Sequence, residues 1–216
     1  MLELICRCAP ARTQPDAPCW APHEYNSDGI IQANTNCWMY ALGPPFSGPD
    51  MPRGVRRPGA WPENGPEFLS RRFLHARALD AGLCPASLDH LLCSPTDRYL
   101  VALLMVGRRD FHFLRLDADG RWSHKPGDAE ATREDRSGHR IRSALLFRKN
   151  AGDRFGLRYA RRKRAERVGN RSRALFLRDA AHGRSADQTE LIGLYWVTVD
   201  TVETALAGSP AGPRRR

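Results

Sequence analysis

The sequence predicts an α+β fold in which helices pack on one side of an antiparallel sheet of about five strands. Phe111–Leu116 and Arg121–Lys125 read as the two strands of a hairpin, joined by the turn-forming residues Asp117–Gly120. A nearly continuous apolar run, Arg98–Val106, is typical of a central strand buried on both faces. Apolar residues recur at helical spacing over Glu67–Ala81, which predicts an amphipathic helix.

Length and composition predict one domain with extended ends. The chain has 216 residues, of which 41% are hydrophobic, enough to bury a sizeable core. Residues 1–22 lack periodicity and are expected to form an irregular arm. Residues 23–200 form the predicted domain, with a basic insertion at about 136–173, and residues 201–216 a tail.

A short helix beginning at Cys37 precedes the sheet. Asn36 can cap this helix, and the sequence Gly43-Pro44-Pro45 ends it after about two turns, because proline cannot continue a helix. A thiol at a helix N-terminus lies at the positive end of the helix dipole. The dipole lowers the pKa of such a thiol and favours the nucleophilic thiolate.

The remaining elements complete the predicted sheet and its helical layer. Two later segments, Ala174–Leu177 and Leu191–Val199, are predicted to be strands. The apolar face of the second helix is predicted to comprise Leu69, Phe73, Ala76 and Leu79.

The hairpin register determines which side chains share a face. If Gly120 takes the left-handed conformation of a three-residue loop, Leu116 pairs with Trp122 and position 114 pairs with position 124. His112 and His124 then become diagonal neighbours on one face, roughly 7–8 Å apart at the backbone. They are either core-edge histidines hydrogen-bonded to the backbone or members of a catalytic site.

The order of Cys37 on a helix, His112 on a strand and His124 on the next strand is that of papain-like cysteine hydrolases. On this hypothesis Cys37 attacks an amide bond, His112 acts as base and then acid, and His124 orients the His112 ring. The substrate, a peptide or another amide, stays open. Ser123 or Asp110 could replace His124 if the register differs.

An amide near the thiol would serve the same chemistry. Gln32 and Asn34 precede Cys37 by a few residues, and either could donate a hydrogen bond to an oxyanion. The alternative is that these amides only cap helices or turns.

Charge and cysteine spacing bear on partners, cofactors and location. The net charge of +10 comes almost wholly from arginine, and it predicts attraction to polyanions. The six cysteines lack metal-binding spacing, so no metal or cofactor is expected, although Cys84 and Cys93 flank a short loop and could approach each other. No run suits a signal or membrane span, so a cytoplasmic location is the default and signal-independent export is the alternative.

The densest positive charge in the sequence lies within Arg158–Arg173. It is either a solvated charged segment or a polyanion contact. The residues predicted to bind a polyanion are Arg161, Arg162, Lys163 and Arg164.

Several segments between residues 34 and 127 resemble a family of bacterial and invertebrate proteins described as insoluble matrix shell proteins. The family has an NCYxYA segment, a Pro-Gly loop, a KVALV strand and a DYHWYRQDxxGxWSHKPG hairpin. The corresponding segments here are Asn36–Ala41, Arg57–Gly59, Tyr99–Leu104, Asp110–Phe113 and Trp122–Gly127. The name of the family favours a structural or binding role.

Two functions therefore stand side by side. The first is a papain-like peptidase or amidase that uses Cys37 and His112. The alternative is a non-catalytic binding or matrix protein of the same fold, with a basic surface for polyanions. A nucleic-acid-binding module is a weaker third possibility, because no helix-turn-helix, zinc or ribonucleoprotein motif is present in the sequence.

Overall fold

An antiparallel five-stranded sheet lies at the centre of the computed structural model, which describes residues 16–43, 58, 69–87, 96–107, 110–127, 129–135, 138–147 and 189–207. The strands are β1 (Cys84–Ala86), β2 (Arg98–Val106), β3 (Asp110–Leu116), β4 (Trp122–Ser123) and β5 (Thr189–Thr198). They lie in the order β1-β5-β2-β3-β4, and each neighbouring pair is antiparallel. The predicted α+β class is confirmed, and its papain-like refinement stays a prediction.

The helices of the described part of the chain are short and begin at side-chain caps where the sequence offers them. They are α1 (His23–Asn26), α2 (Gly29–Asn34), α3 (Cys37–Leu42), α4 (Arg71–Asp80) and α5 (Val199–Ala207), with one turn of 3-10 helix at Ala144–Leu146. Asn36 Oδ1 accepts a hydrogen bond from the Met39 amide at 3.0 Å, so α3 begins at Cys37 as predicted. Asp28 caps α2 and Ser70 caps α4 in the same way.

The two faces of the sheet carry different layers. The helix face packs against α3 and α4, and its strand residues include Val101, Leu103, Phe113, Tyr195 and Val197. The opposite face, called here the loop face, packs against Ile141, Ala144 and Phe147, and its strand residues include Leu100, Leu104, Leu114, Leu116 and Trp122. Because β2 lies between β5 and β3 and contributes to both layers, it is the buried central strand that the apolar run predicts.

Helix α4 packs through a different face from the one predicted. Leu74 and Ala78, four residues apart, are fully buried, whereas Leu79 is 42% exposed. Leu69 is buried but precedes the helix, which begins at Arg71. Of the predicted face, Leu69 and Phe73 do pack on the core. The predicted periodicity counted Leu69 as helical, and it therefore missed Leu74 and Ala78 and wrongly included Leu79.

The ends of the described domain also differ from expectation. Ala17 is buried in the core, and the Pro18 carbonyl accepts a hydrogen bond from the Ala118 amide at 3.2 Å, so part of the expected N-terminal arm packs on the hairpin. Helix α5 continues past residue 200. Strand β1 was not predicted. The predicted strand Ala174–Leu177 lies outside the described residues.

Candidate functional site

The hairpin has the predicted register. Gly120 has a φ of 73°, and the Asp117 amide donates to the Arg121 carbonyl at 2.9 Å. Leu116 pairs with Trp122, while His124 continues past β4 in a bridge to a later segment. His112 and His124 therefore leave the same side of the hairpin, as the alternation of strand side chains requires.

The two histidines form a buried hydrogen-bonded pair. His112 Nε2 and His124 Nδ1 lie 2.7 Å apart, and each residue is 2% exposed. His124 Nε2 lies 2.8 Å from the Glu134 carbonyl oxygen, which can only accept. In the neutral pair His124 thus carries its proton on Nε2, and its Nδ1 accepts a hydrogen bond from His112 Nε2.

Phe147 covers the histidine pair from the loop face. Its ring stacks on His112 with centroids 5.8 Å apart and an interplanar angle of 19°. It meets His124 edge-on at 5.1 Å. The two imidazoles are therefore buried beneath an aromatic ring.

Cys37 lies in α3, which packs on the helix face of the sheet. It is the first residue of α3, it is 7% exposed, and it belongs to the core of the helix face. Trp38, the next residue, packs on Phe113 with ring centroids 5.0 Å apart. Because Phe113 and His112 are adjacent in β3, their side chains leave opposite faces. The structure thus assembles the predicted His112–His124 pair, and catalysis by Cys37 with His112 stays a prediction.

A buried ionic network occupies the helix face at the turn end of the hairpin. Arg115 and Asp117 are fully buried, with Arg115 Nε donating to Asp117 Oδ1 at 2.9 Å. Arg115 also donates to the Tyr40 carbonyl and hydroxyl, each at 3.0 Å, and its guanidinium carbon lies 4.1 Å from the Tyr40 ring centroid. Arg133 reaches the second Asp117 oxygen at 2.9 Å. The network ties α3 to the hairpin.

Ser123, the alternative third catalytic residue, belongs to this network. Its hydroxyl donates to Asp117 at 2.8 Å and lies 2.7 Å from the Tyr40 hydroxyl. Burial raises the pKa of the Tyr40 phenol, and the charge of Arg115 opposes that rise. Burial also raises the pKa of Asp117, against the opposing effects of Arg115, Arg133 and Ser123. The only sequence signal for this network was a charged residue, Arg115, within an apolar strand.

The remaining predicted site residues that the structure describes are Gln32, Asn34 and Asp110. A lysine contacts the backbone of the first of them. Lys125 is fully buried, and its ammonium donates to the backbone carbonyls of Gln32 at 2.5 Å and Gly127 at 2.8 Å. This contact uses the Gln32 backbone, so oxyanion binding by the Gln32 or Asn34 side chain stays a prediction. Asp110 is exposed, and its carboxylate accepts a hydrogen bond from the Phe111 amide.

Comparison with known proteins places the chain in a family. No family model matches it. Insoluble matrix shell protein 1 of Ruditapes philippinarum is 34% identical over 124 residues, which cover 56% of this chain and 74% of the relative. The chain belongs to the family of insoluble matrix shell protein 1. No solved structure matches it.

In this member of the insoluble matrix shell protein 1 family, charge is divided unevenly along the chain. The described residues include ten lysines and arginines and fourteen aspartates and glutamates, although the whole chain has a net charge of +10. The excess positive charge, including the predicted polyanion residues Arg161–Arg164, therefore belongs to segments outside the described residues. None of the described helices is long and apolar enough to cross a membrane.

Proposed function

We propose that this protein is a non-catalytic binding or matrix protein, in which the antiparallel domain is a rigid scaffold and arginine-rich segments bind polyanions. The observation that carries the proposal is the position of His112 and His124, hydrogen-bonded to each other at 2.7 Å beneath Phe147. Both rings are buried. Burial and mutual hydrogen bonding support a structural role for the pair.

Two further observations support a matrix or binding role. The relative is named insoluble matrix shell protein 1. The polar side chains near α3, including Tyr40 and Ser123, contact one another or the Arg115–Asp117 ion pair within the core. A saturated internal network of this kind fixes the orientation of α3 on the hairpin.

The proposal is tested by binding of the full chain to a polyanion. Double-stranded DNA and poly-aspartate are suitable probes, because they share negative charge and differ in chemistry. If binding is electrostatic, the affinity for DNA should fall steeply as the salt concentration rises. Replacing Arg161, Arg162, Lys163 and Arg164 with glutamine should reduce the slope of log K against log salt by up to about 3.6, since each lost phosphate contact removes about 0.9.

A matched control removes the same charge from the described surface. Arg72, Arg121, Arg140 and Arg142 are exposed, and their replacement by glutamine should change the slope by less than the first variant does. Equal losses in the two variants would mean that binding depends on net charge alone. Lack of binding to either probe at low salt would refute the polyanion part of the proposal. Hydrolysis by Cys37 stays a prediction from residue order, and thiol labelling tests it below.

A further inference from the structure

A cavity of about 620 Å³ opens beside the C-terminal end of α3, away from the histidine pair. Its wall combines residues from the N-terminal segment, the start of β2 and the junction between β5 and α5. A cavity of this size falls within the range of roughly 300–1,000 Å³ that ligand sites in proteins occupy. No role in the proposed scaffold requires such an opening.

The floor of the cavity is apolar. Leu42 and Val197 are buried there, and the phenol of Tyr99 donates to the Ala41 carbonyl at 3.0 Å, so its ring faces the cavity as apolar surface. Tyr25 likewise donates its hydroxyl to the Gly43 carbonyl. The floor thus accommodates an apolar or aromatic side chain.

The rim of the cavity is acidic with one apolar lip. Asp16 and Glu24 are exposed at the rim, and among the described residues neither has a basic side chain within ion-pair distance. A third carboxylate, Asp97, is already paired with Arg98 through two contacts of 2.6 Å. Val199, at the start of α5, is 69% exposed and forms the lip. The rim is therefore complementary to a cationic group that carries apolar surface.

We propose that this cavity binds an arginine-rich peptide, the segment 158–173 of a second copy of the chain, through Asp16, Glu24 and the exposed face of Val199. That segment contains eight basic residues and one acidic residue, and Tyr159 supplies an aromatic ring beside the arginines. The acidic excess of the described residues complements it. The inference extends the proposed function and rests on it, because it names what one matrix protein contacts in another.

A contact of this type is heterologous, since the cavity of one copy binds a different part of the next. Heterologous contacts that do not close into a ring produce open assemblies. Such assembly explains how a small domain can contribute to a matrix without strand pairing between copies. It also assigns the arginine-rich segment two competing ligands, a polyanion and the acidic cavity.

The test uses a fluorescent synthetic peptide of residues 158–173 and the full chain with Arg161, Arg162, Lys163 and Arg164 replaced by glutamine, so that the unlabelled segment of other copies does not compete with the peptide. Fluorescence anisotropy should show saturable binding to one site. Adding Asp16→Asn with Glu24→Gln should weaken it about five- to tenfold, the expected loss for two partly screened ion pairs. Val199→Ser, at an exposed position, should weaken it severalfold.

The control variant removes two other exposed carboxylates, Glu130→Gln with Glu134→Gln, and should leave affinity within twofold. Equal weakening in the control, or none in the Asp16 and Glu24 variant, would overturn the cavity assignment while leaving polyanion binding intact. Sedimentation of the unmodified chain should show concentration-dependent association that the Asp16 and Glu24 variant loses. A chain that binds the peptide but stays monomeric at every concentration would overturn the claim of a second copy.

Discussion

Two residues of the hairpin are charged and yet lie in the core. Arg115 and Asp117 are both fully buried and lie two positions apart on the hairpin. Removing two charges from water is costly, and their attraction compensates only when the remaining donors and acceptors are also satisfied. Ser123, Tyr40 and Arg133 provide those partners.

Asp117→Asn should destabilise the fold strongly. The substitution leaves the Arg115 guanidinium buried without its carboxylate, and breaking one side of a buried pair typically costs about 3–5 kcal/mol. Urea unfolding followed by circular dichroism measures the change. Asp119→Asn is the matched control, because its carboxylate contacts Arg133 but is about half exposed, and it should cost at most about 1 kcal/mol. Equal effects of the two substitutions would show that the buried ion pair stabilises the fold no more than the exposed one does.

Thiol labelling decides between the two functions considered from the sequence. Cys19 and Cys84 are exposed, whereas Cys37 is 7% exposed within the helix-face core. A thiol-directed alkylating agent at neutral pH should therefore modify Cys19 and Cys84 first and Cys37 only on unfolding. Peptide mass spectrometry assigns the sites. Preferential reaction of Cys37 in the folded protein, lost in His112→Ala, would instead support the hydrolase hypothesis.

Elements differed in how far the sequence could predict them. The register of the hairpin was predicted, because Gly120 adopts the positive φ expected there and the turn then determines the pairing on both sides. The second strand is shorter than predicted, because regular pairing with β3 ends at Ser123. Strand β1 could not be predicted, because Cys84-Pro85-Ala86 has no strand-like pattern and is a strand only through pairing with β5. The buried face of α4 depends on packing against β5, which its own periodicity does not report.

Gly120→Ala should destabilise the hairpin. Gly120 has a φ of 73°, a conformation that costs a residue with a Cβ about 1–2 kcal/mol. The loss should appear as a lower midpoint in urea with an unchanged slope. Gly29→Ala is the control, because Gly29 begins α2 without a positive φ and an added Cβ meets nothing within 4 Å. Destabilisation by Gly29→Ala of the same size would contradict the conformational argument.

At the scale of the whole molecule, the sequence predicted the sheet and the proximity of two histidines, but not how α3 docks on the sheet. The residue order Cys37, His112, His124 says nothing about that docking, because it depends on tertiary packing. Trp38 packs on Phe113, and this contact holds α3 against the helix face. The partners in the buried network could not be predicted either, since Tyr40 and Arg133 are separated by about two-fifths of the chain.

Alkaline pH should destabilise the folded molecule as a whole. Burial raises the pKa of Tyr195 to about 12 from an ordinary value of 10.0, and it also raises the pKa values of Tyr40 and Tyr99. The folded state therefore holds phenolic protons that the unfolded state releases above pH 10, so stability falls as the pH rises from 10 to about 12. Urea unfolding across this range measures the loss.

Tyr195→Phe provides the internal control for this pH dependence. The variant loses a hydrogen bond to His75 at 2.8 Å and so begins less stable, but its decline between pH 10 and 12 should be shallower than that of the unmodified chain. An identical decline would show that Tyr195 ionises equally in the folded and unfolded states.

The position of β5 in the sheet has a consequence for biosynthesis. β5 is the last of the described strands along the chain, yet it lies between β1 and β2, and β2 pairs with it through nine residues. A ribosome adds roughly 5–20 residues per second, so on the order of ten seconds separate the synthesis of β2 from that of β5. During that interval the nascent chain has no partner strand for one side of an almost wholly apolar β2. We therefore expect nascent chains halted before Thr189 to be captured by chaperones, and completion of a single late strand to release them.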